Sequence, residues 1–423
     1  MAIRIWAILI FLLVSLSASA STPHNTITFE QALQLILQND FSLKLSENNL
    51  DRMKARQLGA FAQFLPTVSV AATQNRDSSF QDAGRTTVGT LDFSLWRNGV
   101  DVLGLKAQEF SKQSAVEHLS SENLSAEARA THALFDYLWR IQEIEIKRAQ
   151  VEVRQELLKI TKVRYGQGLI PEHQVLSSEV DLENSQSTLT FAELEFQDVK
   201  AELERSLGIL AEGRELEQTW PFAKDLKGTA LQTLLSRRAD KSNRPDFQEM
   251  FFAMQASDLN VLRAKGDFLP TIDFRAQRSN QNVYGTSQYD TSFAFTVTIP
   301  IFERLSDYIS YRESEYQSFQ ARYQLLLLDQ KFDADFRAKH QTLTQALERQ
   351  QARVDILKKG VKLFNLMKGH YSAGKLSYKD LALEQERFFN SRLNYVQGLR
   401  DVHNALVAYC HSLGQSLKSC LLI

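Results

Sequence analysis

The feature that most constrains this chain is that it is written twice. "FLPTVSV" from Phe64 recurs as "FLPTIDF" from Phe268, an offset of 204 residues. "LDFSLW" from Leu91 is answered by "VTIPIF" from Val297, and "RYGQGL" from Arg164 by "HYSAGK" from His370, both at an offset of 206. Internal similarity on this scale means two copies of one design, each in the order helix, strand pair, long helix, glycine turn, long helix. The first copy is placed at residues 21–210, a linker at 211–242, the second copy at 243–414 and a C-terminal tail at 415–423.

The long segments carry a seven-residue rhythm. Val175, Leu182, Leu189, Phe196 and Leu203 follow the first glycine turn; Leu381, Phe388, Tyr395, Val402 and Tyr409 follow the second. Before the second turn, Leu343, Leu347, Val354, Leu357, Val361, Phe364 and Tyr371 step by threes, fours and sevens. A stripe kept in heptads imposes left-handed supercoiling, so these helices pack along their length. Little interrupts them: no proline follows Pro300, and Asn98–Arg164 holds two glycines, Gly99 at its start and Gly104. At 1.5 Å per residue that segment alone would reach roughly 100 Å. Two antiparallel helices of this kind need a tight reversal, and Gly168 and Gly374 supply the left-handed backbone for it. Pro171 then suits the opening position of the returning helix, and Ser377 suits a capping hydroxyl.

Four short segments have a different period. Val68, Val70 and Ala72 alternate with polar or small residues in Thr67–Thr73, as do Leu91, Phe93 and Leu95 in Thr90–Leu95. The second copy repeats this with Ile272, Phe274 and Ala276, then Phe293, Phe295, Val297 and Ile299. Period-two patterning predicts strands with one apolar and one polar face. The polar face carries Asp92, Asp273 and Arg275, and the aromatics Trp96 and Phe302 stand where each pair ends. The segments between, "NRDSSFQDAGRTTV" and "SNQNVYGTSQYD", read as polar loops. A membrane barrel with its apolar face to lipid fits these features better than a soluble sheet. Four strands cannot close, and an open edge is forbidden in lipid. Copies of the chain must therefore share a barrel, and twelve strands from three copies leave a lumen where eight leave little.

The N-terminus has one early arginine, an apolar run from Ile5 to Val14 and the small residues Ala18-Ser19-Ala20. This predicts a secretory leader over 1–20, too short in its apolar part to span a ~30 Å hydrocarbon core. Cys410 and Cys420 either pair in an oxidising compartment or stay free. With 49 basic against 50 acidic residues the chain lacks the basic excess of a nucleic-acid binder. Its eight histidines fall at no metal-ligand spacing, "YGQG" follows a helix rather than a strand, and no nucleophile motif is present. The sequence predicts no catalytic residue, no cofactor, no metal and no enzymatic activity.

The duplicated unit, the "FLPT" helix ends and the glycine hairpins together resemble the TolC-like outer-membrane efflux proteins. "TITFEQALQLILQNDFSL" at Thr26–Leu43 is similar to the usual start of the mature chain, and "RPDF" at Arg244–Phe247 to the second-copy opening; Phe41 stands where the first copy commonly has proline. The resemblance implies a mainly α fold with a small β part. Duplicated coiled-coil hairpins would form a periplasmic α-barrel, and four transmembrane strands per chain would join a trimeric 12-stranded β-barrel. It also implies a passive exit duct in the outer membrane of a Gram-negative bacterium, with a large periplasmic portion. Such ducts serve tripartite efflux or type I secretion with a periplasmic adaptor (membrane fusion protein) and an inner-membrane pump, proton-driven or ABC. By the same resemblance Gly168, Leu169, Gly374 and Lys375 are adaptor-docking tips. Asp380, with Gln174 and Glu384 nearby, would form a periplasmic gate; Asp380 equally suits a helix start on dipole grounds. The alternative from another class is a soluble periplasmic coiled-coil scaffold without a membrane barrel.

Overall fold

The computed structural model describes residues 26–76, 82–208, 215–217, 234–237, 240–283, 286–301 and 305–421. The expected leader, Phe302 and most of the 211–242 linker lie outside these residues. In chain order the elements are β1 (Thr26–Ile27), α1 (Phe29–Asn39), α2 (Phe41–Ala62), β2 (Thr67–Arg76), β3 (Asp82–Trp96), α3 (Val100–Gly166), α4 (Glu172–Leu207) and β4 (Glu215–Leu216). After a short 3-10 turn (Lys241–Asn243) come α5 (Pro245–Gly266), β5 (Thr271–Val283), β6 (Thr286–Thr298), α6 (Ser306–Ser372), α7 (Tyr378–Ser412) and α8 (Leu417–Leu421). The duplication is visible in the element lengths: α3 and α6 have 67 residues each, and α4 and α7 have 36 and 35.

Contacts divide the chain into two units. One is drawn from residues up to Asn39, from Ala130–Lys224 and from Ile356–Arg400. Here β1 and β4 pair in parallel. Phe29 stacks on Phe135 at 5.4 Å, and Tyr137 meets Phe196 at 5.3 Å. The Asn39 side chain donates to the Leu207 carbonyl at 2.7 Å, satisfying one of the four carbonyls that any helix leaves open at its C-terminus.

Within this unit the heptad stripe of α4 has a second row. Val175, Leu182, Leu189, Phe196 and Leu203 alternate with Ser178, Ser185, Ala192 and Val199, and all of them are buried or half-buried. On α7, Leu381, Phe388 and Tyr395 alternate in the same way with Glu384, Ser391 and Gly398. Small residues in the second row let neighbouring backbones come close. A Cβ on Gly360 would lie 3.4 Å from the Ser391 hydroxyl, and the Phe364 and Phe388 rings stack at 4.7 Å. Val361, placed in the α6 stripe by its spacing, is exposed; the inward stripe passes through Gly360 and Met367 instead. Pro171 is the N-cap of α4 rather than its first helical residue, with ψ 157°.

The other unit is drawn from Asp40–Arg129, Asp225–Asp355 and the chain from Asp401 onward. It holds a four-stranded antiparallel sheet in the order β2-β3-β5-β6, with β2 and β6 as open edges among the described residues. The strands are longer than the apolar alternation indicates. Residues 82–88, 279–283 and 286–290, read above as loop, are paired strand. The ladder is a backbone interaction and continues through polar side chains, so hydropathy alone set the strand ends too early.

Near the helix ends of this unit, Tyr409 donates its hydroxyl to the Leu234 carbonyl at 3.1 Å, and Phe110 stacks on Phe252 at 6.2 Å. Cys410 and Cys420 form a disulfide, with Cα atoms 5.8 Å apart, which resolves the open choice between paired and free. It ties α8 back onto α7.

Candidate functional site

Two surfaces carry the features that the sequence singles out. The first is the pair of hairpin turns in the unit of β1. Gly168 and Gly374 have φ of +71° and +75°, in the left-handed region that only glycine enters without strain. Gly168 N–H donates to Tyr165 O (2.8 Å) and Leu169 N–H to Arg164 O (2.9 Å). Gly374 N–H donates to Tyr371 O and Lys375 N–H to His370 O, both at 2.9 Å. These paired bonds are the Schellman arrangement, drawn twice. Ser377 caps α7: its hydroxyl accepts from Asp380 N–H at 3.3 Å and donates to the Asp380 carboxylate at 2.6 Å.

The repeat is not symmetric in its surroundings. Tyr371 is 1% exposed whereas its counterpart Tyr165 is 46% exposed. Tyr371 packs with Leu157, Phe364, Tyr378 and Leu381. Its hydroxyl lies 3.0 Å from Thr161 Oγ1, and the Arg164 guanidinium sits 5.0 Å above its ring while donating to its carbonyl at 3.3 Å. The second turn is thereby held against the end of α3. Ile160, Val163, Arg164, Leu169 and Gly374 line one groove between the two turns.

A polar network lies a few turns from the tips. Tyr378 donates to Asp181 Oδ2 at 2.6 Å, and Arg154, buried, donates to Asp181 at 3.1 Å and to Glu386 at 3.5 Å. Burial, followed by the bond to Asp181, pushes the Tyr378 hydroxyl up to about 12. Of the gate residues expected from the resemblance, Asp380 is exposed, Gln174 half-buried, and Glu384 buried with its carboxylate 3.4 Å from Arg387. Arg154, Asp181 and Tyr378 escaped the sequence reading because they lie on different helices with no common spacing. The one available signal was Tyr378, directly after a capping serine.

The second surface is the sheet. Its register places Val68, Leu91, Ala276 and Phe293 side by side, and Phe93, Phe274 and Phe295 in the next row. Val68, Val70, Phe293 and Phe295 are 70–74% exposed. A β-bulge between Ser94 and Trp96 passes over Leu95 and sets Trp96 opposite Ile272, so Trp96 and not Leu95 continues the apolar face. Trp96 donates its indole N–H to the Asn98 side chain at 3.0 Å, and Asn98 donates to the Pro270 carbonyl at 2.8 Å. On the opposite face Arg275 donates to Asp92 at 2.5 Å, Ser94 bonds Asp273, and Ser69 bonds Thr90 at 2.6 Å. From Val297 to Tyr289, both on the apolar face, is about 26 Å along the strand at a ~3.3 Å rise. Tilted by about 40°, that gives a band of roughly 20 Å bounded by Trp96 and Tyr289, close to the apolar height of outer-membrane barrels. No described helix is long and apolar enough to cross a membrane. Among the described residues no acidic, His or Cys cluster could hold a metal ion.

Long duplicated helical hairpins joined to a part-sheet with one bare apolar face define the class: a barrel-contributing channel subunit. The family model for outer membrane efflux proteins matches residues 32–209 and 238–415, and the chain belongs to that family. Among solved structures it is similar to the outer membrane protein VceC of Vibrio cholerae, at 15% identity and a TM-score of 0.78, covering 92% of this chain and 96% of that one. The CmeC outer membrane channel of Campylobacter jejuni aligns at 15% identity and TM-score 0.77, over 91% and 85% of the two chains. The open state of the MtrE outer membrane channel of Neisseria gonorrhoeae aligns at 14% and 0.74, over 91% and 88%. No curated protein matches the sequence. Membership makes the chain an outer-membrane efflux channel with long helical hairpins and a β-barrel portion.

Proposed function

We propose that three copies of this chain assemble into one passive exit duct, completed at its hairpin tips by a periplasmic adaptor and an inner-membrane pump. The observation that carries the assembly is an interface made once inside the chain and left open at its repeat-related position. Within the unit of β1, α7 lies on α3. Glu386 accepts from Gln150 at 3.3 Å, Arg400 donates to Asp136 at 3.3 Å and covers the Trp139 ring at 4.9 Å, and Ala382 packs against the cluster that holds Leu157.

Moved by the 206-residue repeat, the α7 positions Ala382, Glu386 and Arg400 fall on Leu176, Val180 and Leu194 of α4. The α3 positions Gln150 and Leu157 fall on Ile356 and Leu363 of α6. Leu176, Val180, Leu194 and Ile356 are 54–59% exposed. The polar pair inside the chain thus corresponds to an apolar pair, Val180 and Ile356, that has no cover in a single copy. Stacking α4 of one copy on α6 of the next would bury it, and such a head-to-tail contact closes into a ring. The open β2 and β6 edges require the same closure in lipid.

Gly168, Leu169, Gly374 and Lys375 then form the docking surface, repeated around the ring. Asp380, exposed at the α7 start, would put a ring of carboxylates at the narrow end, attracting cations and repelling anions. Glu384 is buried, so Asp380 with Gln174 carries the gate. Cargo selection falls to the pump. Small molecules with a proton-driven pump and proteins with an ABC exporter are both compatible with the duct. The scaffold reading loses to the family match and to the bare apolar face.

The test is disulfide trapping of Val180→Cys with Ile356→Cys. The native cysteines are paired with each other, leaving none free. Oxidation of membranes carrying the double variant should yield a covalent ladder ending at three copies on non-reducing gels. A ladder stopping at two, or uncrosslinked monomer, rejects this arrangement. For the gate, Asp380→Ala should raise single-channel conductance or relieve divalent-cation block in planar bilayers; unchanged currents would retire it.

A further inference from the structure

We infer that the apolar side of the sheet carries, on its half away from the helices, a binding site for a membrane lipid whose headgroup bears two phosphates. This goes beyond the duct and rests only on that side facing lipid. The register separates charge between the two faces. Asp92, Asp273 and Asp290 all lie on the polar face, where Arg275 is paired with Asp92. Along Thr67–Gln74, Arg85–Trp96, β5 and β6 the apolar face holds no carboxylate, yet two arginines stand on it. Arg278 is in the row of Val70, Gly89 and Thr291, and Arg85 in the row of Gln74 and Asn282. Both are exposed, and neither has a carboxylate partner among the described residues.

An unpaired guanidinium rooted on a lipid-facing strand is expensive, and long cationic side chains there turn toward the headgroups. Arg278 does so. Tyr289 stands one row nearer the strand tips, and the Arg278 guanidinium reaches over its ring, 5.8 Å from the centroid. Beside Arg278 the surface is open at Gly89. Val68, Val70, Gly89, Leu91 and Arg278 line a notch of about 290 Å³ there. A Cβ on Gly89 would meet nothing closer than the Arg278 carbonyl at 3.9 Å, so packing within the sheet does not require glycine. A glycine inside a strand often marks the close approach of a ligand. Arg85 lies four residues along β3 from Gly89, on the same face, which puts its Cα about 14 Å from that of Arg278. Each guanidinium is a bidentate partner for a phosphate. Two at this spacing fit a headgroup phosphorylated at both ends, with an acyl chain lying in the notch over Gly89. The site opens sideways on the apolar face, so its phosphates come from a membrane lipid rather than from solution.

The experiment is native mass spectrometry of the full-length protein in mild detergent. It is titrated with lipid A, which carries two phosphates, with the monophosphoryl form of lipid A, and with phosphatidylglycerol. Lipid A should bind about tenfold more tightly than either of the others, the worth of one further charge-assisted contact. Arg85→Gln with Arg278→Gln should abolish that gap, whereas Arg275→Gln, on the polar face, should leave it intact. Should the double variant fail to assemble, Arg278→Gln alone should bring lipid A to the affinity of its monophosphoryl form. Gly89→Leu, which fills the notch and keeps both charges, should weaken all three lipids. Equal affinities in the wild type, a gap that survives in the arginine variants, or a Gly89→Leu protein that binds as before would overturn the inference. So would displacement of lipid A by an equal concentration of inorganic phosphate, which would assign the arginines to a soluble anion. Equal binding of the three lipids sinks this inference alone. Binding of none sinks with it the assignment of this face to lipid.

Discussion

Tyr378 donates its hydroxyl to Asp181 at 2.6 Å, joining the start of the second hairpin's returning helix to the returning helix of the first. Asp181 is shared with Arg154, which also reaches Glu386, so one buried guanidinium and one phenol fasten both hairpins. Tyr378→Phe should cost about 2 kcal/mol, the usual worth of a hydrogen bond to a charged group. The wild type carries a matching pH signature. Because the folded-state value is about 12 against an ordinary 10.0, the folded state holds this proton more tightly than the unfolded state. Its stabilisation is complete below pH ~10 and is lost as pH rises toward ~12. Denaturant titrations at several alkaline pH values should show the wild type falling toward Tyr378→Phe across that window. Parallel curves would mean the bond contributes nothing.

The Cys410–Cys420 disulfide closes a loop over a sequence separation of 10. Loop closure of this length is worth about 3 kcal/mol in chain-entropy terms. Cys410→Ser with Cys420→Ser should therefore lower stability by up to that amount and expose α8 to protease first, because the disulfide reinforces the Leu417 N–H bond to Glu127 at 3.0 Å in tethering that short helix. Unchanged proteolysis in the double variant would show that packing alone holds the tail.

How far the sequence could be read follows from what each signal encodes. The repeat, the heptads and the glycine turns are local regularities, and α3, α4, α6 and α7 fall where those regularities place them. The apolar rows of the sheet were legible for the same reason, because period two assigns faces directly. What period cannot encode is where a backbone ladder stops, so residues 82–88 and 279–283 were read as loops. Nor can it encode a bulge, which moved Trp96 into the place of Leu95. The Tyr378–Asp181–Arg154 cluster depends on three helices meeting at one level, and a single sequence holds no record of that. The Ser178 and Ser185 row on α4 was overlooked for a simpler reason: small polar residues look like a solvated face until a neighbouring backbone is known to be close.

The two faces of β6 give a matched pair of tests. Phe295 lies on the apolar face in line with Phe274, and Thr296 on the opposite face beside Asp273. A lysine on a lipid-facing strand position costs about 2–4 kcal/mol near the midplane, whereas a lumen position tolerates it. Phe295→Lys should sharply reduce the amount recovered in outer membranes, and Thr296→Lys should leave it near wild type while shifting ion selectivity toward anions. The reverse ranking would place lipid on the wrong face.

A strained backbone marks the second copy. Gly99 and Leu305 are repeat partners, both with positive φ, +74° and +63°. Each accepts the first helical hydrogen bond of the helix that follows it, from Leu103 and Ile309 respectively, both at 2.9 Å. The same turn is thus built with glycine in one copy and leucine in the other. For a leucine the left-handed conformation costs roughly 1–2 kcal/mol. Glycine in its place would give back about 0.5–1 kcal/mol through the unfolded chain. Leu305 is 58% exposed, so its removal forfeits little burial within the chain. Leu305→Gly should then stabilise the protein by about 0.5–1 kcal/mol, seen as a higher apparent melting temperature in detergent, and Gly99→Leu should destabilise it. If Leu305→Gly instead lowers stability, the strain is being repaid by contacts the side chain makes only outside a single copy, and the loss should then be larger in membranes than in detergent-separated monomers.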